Sequence, residues 1–178
     1  RTEAVQELRR EEFSDIYKVE SENSNNAEEF IDEVYVDSDL ELMFPVMYIP
    51  NDSERVAIYR ELDSMETETE ILDFTKRMED RFGKIPHQGK ELIRIVRLRR
   101  LAKPLGIEKI VLKNRNMSLN LISDVNSPYY MSSAFDRILK YVQSNPRGCK
   151  LREIANKRSL LIRNVDSIET AVAILESI

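Results

Sequence analysis

Between Asn51 and Leu105 the apolar positions recur with the helical period, and from Ile107 onward they change to short alternating runs. The first helical stretch follows Asn51, Asp52 and Ser53, each able to cap a helix running to about Met65. Its buried stripe is Ile58, Tyr59, Leu62 and Met65, and Arg55, one turn before Tyr59, can lay its guanidinium over that ring. Thr67 caps the next helix, with Glu70 as its capping-box partner. There Ile71, Phe74, Met78 and Phe82 share one face, and Asp73, Arg77 and Asp80 the opposite one. Gly83 ends this helix, where a left-handed residue is expected, and Pro86 blocks an early restart. From about Gln88 to Leu105 the chain is apolar almost all round, which predicts a central, buried helix stopped by Gly106.

The remainder reads as two strand-strand-helix units. Ile107 to Lys113 and Met117 to Ile122 predict a hairpin around Asn114-Arg115-Asn116. Ser127 and Pro128 start a helix through about Gln143, with Pro128 at its first position. After the turn Asn145-Pro146-Arg147-Gly148, Leu151 to Ala155 and Leu160 to Val165 predict a second hairpin around Asn156-Lys157-Arg158-Ser159. Asp166 is the expected cap of a last helix bearing Ile168, Ala171, Val172 and Leu175. The expected fold class is α+β: a helical N-terminal half, then two β-hairpin/helix units forming a small antiparallel sheet packed on helices.

The segment before this body has a different character. Thr2 to Phe13 has a marginal helical pattern, and Glu20 to Glu29 is polar without an apolar anchor. Residues 14 to 30 are therefore expected to be a mobile tether. Val34 to Leu42 alternates apolar and acidic residues, as a strand or extended arm does, and Pro45 and Pro50 are expected to hold the chain extended. Residues 1–43 carry 14 acids and 4 bases, a net of -10; residues 44–178 carry 18 acids and 23 bases, a net of +5. That asymmetry divides the chain into an acidic connection, 1–43, and a C-terminal regulatory body, 44–178. The first residue is Arg1, so the chain reads as a fragment without a secretory leader. No run of about 18 apolar residues exists to suggest a membrane partner. Cys149 stands alone, which excludes an internal disulfide, fits a reducing cytoplasm, and leaves it as a small hydrophobe near a strand.

Candidate chemistry is sparse. No Gly-x-x-x-x-Gly-Lys-Ser/Thr loop is present, and His87 is the only histidine. No catalytic, cofactor or metal residues are assigned. Lys90, Arg94 and Arg97 form a basic helical stripe that could follow a phosphate backbone, making the helix 90–103 a weak nucleic-acid-binding accessory surface. The competing reading is a solvated stripe paired with acids such as Asp80, and the absence of interleaved aromatics favours it. Asp80 and Arg81 can finish a helix or meet a partner's charges, with Phe82 buried beneath them.

Two dense motifs carry a family resemblance. Tyr48-Ile49-Pro50-Asn51 with Arg55 and Tyr59-Arg60, and Asp80-Arg81-Phe82-Gly83 with Pro86, are followed by Arg97-Leu98-Arg99 and Leu105-Gly106-Ile107. Together they resemble the C-terminal domain of the bacterial transcription-repair coupling factor, from about Asp39 to Ile178. Asn51 stands where that family usually has Asp, and Glu61 where a base is common. The resemblance implies a cytoplasmic bacterial parent: an ATP-driven translocase on double-stranded DNA that displaces stalled RNA polymerase and recruits UvrA. ATP and Mg would belong to the parent's motor, with none in this chain. The domain is implied to clamp the parent's N-terminal UvrB-like module and mask its UvrA-binding surface. Arg77, Asp80 and Arg81 are the expected interdomain residues. Tyr48, Pro50, Asn51, Arg55, Tyr59, Phe82, Gly83 and Pro86 are the structural motif.

The lack of a phosphate loop generates a first prediction. The chain should bind no ATP, as titration calorimetry will read; a saturable isotherm would contradict it.

Overall fold

The computed structural model describes residues 30–178, and the candidate helix Thr2 to Phe13 and most of the expected tether lie outside these. The described chain begins with strand β1 (Tyr35–Ser38), followed by helices α1 (Asp52–Asp63), α2 (Glu68–Phe82) and α3 (His87–Ala102). Hairpin β2 (Ile107–Lys113) and β3 (Asn116–Leu121) leads to α4 (Ser133–Ser144). Hairpin β4 (Cys149–Ile154) and β5 (Lys157–Arg163) leads to α5 (Ile168–Ser177). The architecture is α+β, as expected. The strands form one sheet in the order β1-β2-β3-β5-β4, antiparallel from β2 onward and mixed because β1 joins β2 in parallel.

The pattern-derived caps hold at two helices. Asn51 wins among its neighbours, its side chain accepting from the Glu54 N–H at 2.9 Å. Thr67 Oγ1 accepts from the Glu70 N–H at 3.2 Å and donates to Glu70 Oε1 at 2.9 Å. Here Glu70 closes on the capping hydroxyl rather than reaching back to the backbone.

Several boundaries moved for local reasons. The Pro45–Ile49 segment turns instead of running extended: Tyr48 and Ile49 N–H groups both donate to Pro45 O, at 2.9 and 3.0 Å. Helix α3 stops at Ala102 because Pro104 has no N–H to continue the ladder, and Lys103–Leu105 tighten into a 3-10 turn. The helix expected from Pro128 is broken in two. Pro128–Met131 form a 3-10 turn, and extended Ser132 starts α4 afresh by accepting from the Phe135 N–H at 3.4 Å. The last helix is capped by Ser167, which accepts from the Thr170 N–H at 3.0 Å, and not by Asp166. Both hairpins turn on two residues with positive φ: Asn114 and Arg115 at 53° and 61°, Ala155 and Asn156 at 52° and 61°. Such turns match the strand twist, so the second hairpin closes at Ala155-Asn156 instead of the four-residue loop 156–159.

Helix α3 explains the two-core packing. Its Ile93 and Val96 enter a helical core with Phe44, Ile49, Ile58, Leu62, Ile71, Phe74 and Met78. Its Ile95, Leu98 and Ala102 enter the core under the sheet, with Ile110, Leu119, Ile162 and Leu175. A helix that serves two cores must be apolar on two sides, which is why its polar residues are confined to narrow, mostly basic stripes. Phe44 packs so closely on α3 that a Cβ at Gly89 would stand 2.8 Å from its ring. Ile31 and Val34, before and beside β1, join the sheet core. Cys149 opens β4 buried, and burial raises its thiol pKa.

The apolar run of α3 conceals one acid. Glu91 is 4% exposed. Its Oε1 accepts from the Ile168 N–H at 2.9 Å and its Oε2 from the Glu169 N–H at 3.1 Å. Arg94 donates to Oε2 at 3.3 Å. The carboxylate thus satisfies first-turn donors of α5 and sits at the positive end of that helix.

Two stability predictions follow from this packing. Glu91→Ala should lose about 2–4 kcal/mol in urea denaturation, because it strands buried N–H donors and the Arg94 charge, while Glu91→Gln should lose less because one oxygen still accepts. Gly106 has φ 75°, and a Cβ there would meet the Tyr129 ring at 2.1 Å. The Tyr129 hydroxyl also donates to Leu105 O at 2.6 Å, so the ring has little room to withdraw. Gly106→Ala should therefore lose at least about 2 kcal/mol in the same measurement.

Candidate interaction surface

The two motifs singled out in the sequence meet in space. The turn at Pro45–Ile49 projects Tyr48 toward the end of α2, where its hydroxyl is shared between Gly83 O at 2.8 Å and Met78 O at 3.2 Å. Partial burial, reinforced by Glu79, raises the pKa of this hydroxyl, so it stays a donor. The Tyr48 ring lies 5.6 Å from the half-buried Phe82 ring. Gly83 itself has φ 84° and ψ -165°, a region open essentially only to glycine, rather than the left-handed helical conformation expected. Pro86, extended, immediately precedes α3.

The other motif residues hold the turn from the α1 side. Pro50 leads into the Asn51 cap. Arg55 donates to Ile49 O at 2.8 Å and to Asp52 Oδ1 at 2.6 Å. Its guanidinium is drawn back to the turn by these acceptors and makes no cation–π contact with Tyr59 among the described residues. Tyr59 instead stacks on Phe44, with ring centres 5.7 Å apart, and its hydroxyl accepts from the Phe44 N–H at 3.0 Å.

On this scaffold Arg77, Asp80 and Arg81 form an exposed ridge along the last turns of α2. Arg77 forms an ion pair with Glu61 of α1 and lies over the Phe74 ring. Arg81 crosses to Glu54 of α1 as an ion pair without hydrogen-bond alignment, and packs 4.9 Å from the centre of the Phe82 ring. Both arginine side chains stay more than half exposed. Asp80 has no hydrogen bond or ion pair among the described residues. No local spacing marks Glu54 and Glu61 as partners of Arg81 and Arg77, because the α1–α2 contact joins positions far apart in sequence.

The basic stripe of α3 is occupied by other acids than Asp80. Arg97 Nε donates to both oxygens of Glu68, at 3.0 and 3.1 Å, and Arg100 reaches the same carboxylate at 3.1 Å. The hydrogen bond from Arg97, working against partial burial, holds the Glu68 carboxyl below its ordinary pKa. Arg94 lies between Glu91 and Glu169, and Arg99 meets Asp63 at 2.8 Å. Lys90 is half-buried and has no ion pair among the described residues. His87 is exposed at the start of α3, and no cluster of three or more His, Cys, Asp or Glu able to hold a metal occurs among the described residues. No described helix is long and apolar enough to cross a membrane.

The chain is similar to known proteins in sequence and in fold. The TRCF domain family matches residues 38–132. The transcription-repair-coupling factor of Borreliella burgdorferi is 25% identical over 126 residues, covering 70% of this chain and 11% of that protein. Its namesake in Escherichia coli is 35% identical over 68 residues, covering 38% of this chain and 6% of that protein. The chain thus spans about a tenth of the length of these relatives or less. A crystal structure of the C-terminal domain of transcription-repair coupling factor superposes with a TM-score of 0.65 at 15% identity. It covers 80% of this chain and 88% of that one, a likeness of fold. The family match across both motifs, the matching relatives and the shared fold place this chain in the TRCF domain family, the C-terminal domain of transcription-repair coupling factors.

Proposed function

We propose that this domain is a non-catalytic autoregulatory element of an ATP-dependent translocase that couples transcription to nucleotide excision repair in the bacterial cytoplasm. In this reading the Arg77–Asp80–Arg81 ridge clamps the parent's N-terminal UvrB-like module and masks its UvrA-binding surface until the parent engages RNA polymerase on double-stranded DNA. ATP and Mg act in the motor. One observation carries the reading: Asp80 is a carboxylate without an internal partner among the described residues, held between two exposed arginines on a backbone pinned by Tyr48. A rigid charged ridge of alternating sign suits recognition of a complementary surface, because little ordering entropy remains to oppose docking. The alternative, nucleic-acid binding by helix 90–103, has less support, since Arg94 and Arg97 are already engaged by carboxylates.

The test is charge reversal, Asp80→Arg with Arg81→Glu. The domain should stay folded with a modestly lowered melting temperature, because Arg81 is more than half exposed while its partner Glu54 is half-buried and would face a like charge. In the full-length parent the same reversal should raise UvrA affinity, as a broken clamp no longer competes. Lost melting stability with unchanged UvrA affinity would overturn the clamp.

A further inference from the structure

The helices that cover the sheet cover one face only. On that face lie Ile110, Leu112, Met117, Leu119, Leu160 and Ile162, all buried. Among the described residues no element covers the other face, and its registered rows can be read across the strands. One row runs Tyr35, Lys109, Asn120, Ser159 and Arg152. The next runs Asp37, Val111, Ser118, Leu161 and Lys150. Lys113, Asn116 and Arg163 extend it at one end, and Lys157 beside Ile154 at the other.

The charge on this face is lopsided. Lys109, Lys113, Lys150, Arg152, Lys157 and Arg163 are all exposed, against Asp37 as the only acid in these rows. Lys113 pairs with Asp37 at 3.0 Å. The side chains of the other five bases have no ion pair or hydrogen bond among the described residues, in contrast to the arginines of α3. Residues 30–178 as a whole carry 23 acids and 23 bases, so this is a local concentration of positive charge on a neutral body. Between the bases stand the short hydrogen-bonding side chains of Asn116, Ser118, Asn120 and Ser159. Toward β1 the face deepens into a cleft of about 880 Å³, where Asp32, Glu33 and Glu108 bound the basic area.

We propose that this open sheet face binds the phosphate backbone of duplex nucleic acid, independently of base sequence. Strands about 4.8 Å apart and same-face residues about 7 Å apart along each strand set the bases out as a two-dimensional array. A linear backbone can lie across such an array and meet several bases at once, with serine and asparagine side chains as additional donors to phosphate oxygens. The aromatic residue in these rows is Tyr35, at the edge, so stacking of unpaired bases is poorly served and a duplex is favoured over a single strand. The surface is separate from the Arg77–Asp80–Arg81 ridge and from the α3 stripe, and does not depend on the clamp.

Fluorescence anisotropy of a labelled duplex of about 20 base pairs, titrated with the 178-residue chain, tests the assignment. With about four phosphates engaged, affinity should fall about a hundredfold between about 50 and 200 mM salt. Triple reversal, Lys109→Glu with Arg152→Glu and Arg163→Glu, should lower affinity at the lower salt at least about tenfold and flatten the salt slope. Reversal of the exposed Lys76 on α2, outside these rows, should change neither. The neutral set Lys109→Gln, Arg152→Gln and Arg163→Gln serves if the reversed chain loses its circular-dichroism melt. Failure of the wild-type chain to bind, or unchanged affinity in a folded variant, overturns the proposal. Equal binding of a charge-matched polyglutamate overturns it too, because the face would then suit an acidic polypeptide.

Discussion

The buried carboxylate of Glu91 is the constraint on which the two halves of this domain depend. It sits on α3, the helix that contributes to both cores, and it accepts the first N–H groups of α5, the helix that closes the sheet core. A charge removed from water is stabilising only when its lone pairs are met, and here two backbone donors, Arg94 and the positive helix terminus meet them. The contact is directional. It fixes the position of α5 along α3 where apolar packing alone would tolerate sliding, and so holds the sheet in register with the helical half.

A second polar contact does the same work locally. The Tyr48 hydroxyl bonds to carbonyls at the end of α2, which lie 30 and 35 residues further along the chain. Its partner Gly83 can offer that carbonyl because its backbone adopts a conformation closed to other residues. The charged ridge on α2 therefore projects from a backbone held on both sides, by Tyr48 and by ion pairs to α1. The arginines of α3 are spent internally in the same manner, on Glu68, Glu91 and Asp63. Five further bases without an ion pair among the described residues stand on the open sheet, on the face turned away from α3.

Much of the fold was legible from periodicity. The helix bodies, their buried stripes and both hairpins follow from spacing, because burial selects residues by face. The departures came where short-range chemistry has near-equal options. Ser167 and Asp166 are both good caps, and the choice depends on which one the preceding strand delivers in an extended conformation. Ala155-Asn156 and the loop 156–159 are both possible turns, and the ladder between Glu153 and Arg158 decides. Arg55 had an aromatic neighbour one turn away, but the Ile49 carbonyl, brought near by the Pro45 turn, captured it.

The α+β class, the motif residues and the outward face of Arg77 and Asp80 can be read from the chain alone, since each rests on local spacing and steric preference. The three-dimensional packing is what selects the acids that neutralise α3, lets Glu91 be buried, and brings Tyr48 to Gly83. It also decided which sheet face stays open: alternation separates Lys109 from Ile110, but only the docking of α3 and α5 determines that one side is covered and the other left to water. Those outcomes depend on pairs far apart in the chain, whose meeting is set by packing of the whole and leaves no periodic trace in either partner's neighbourhood.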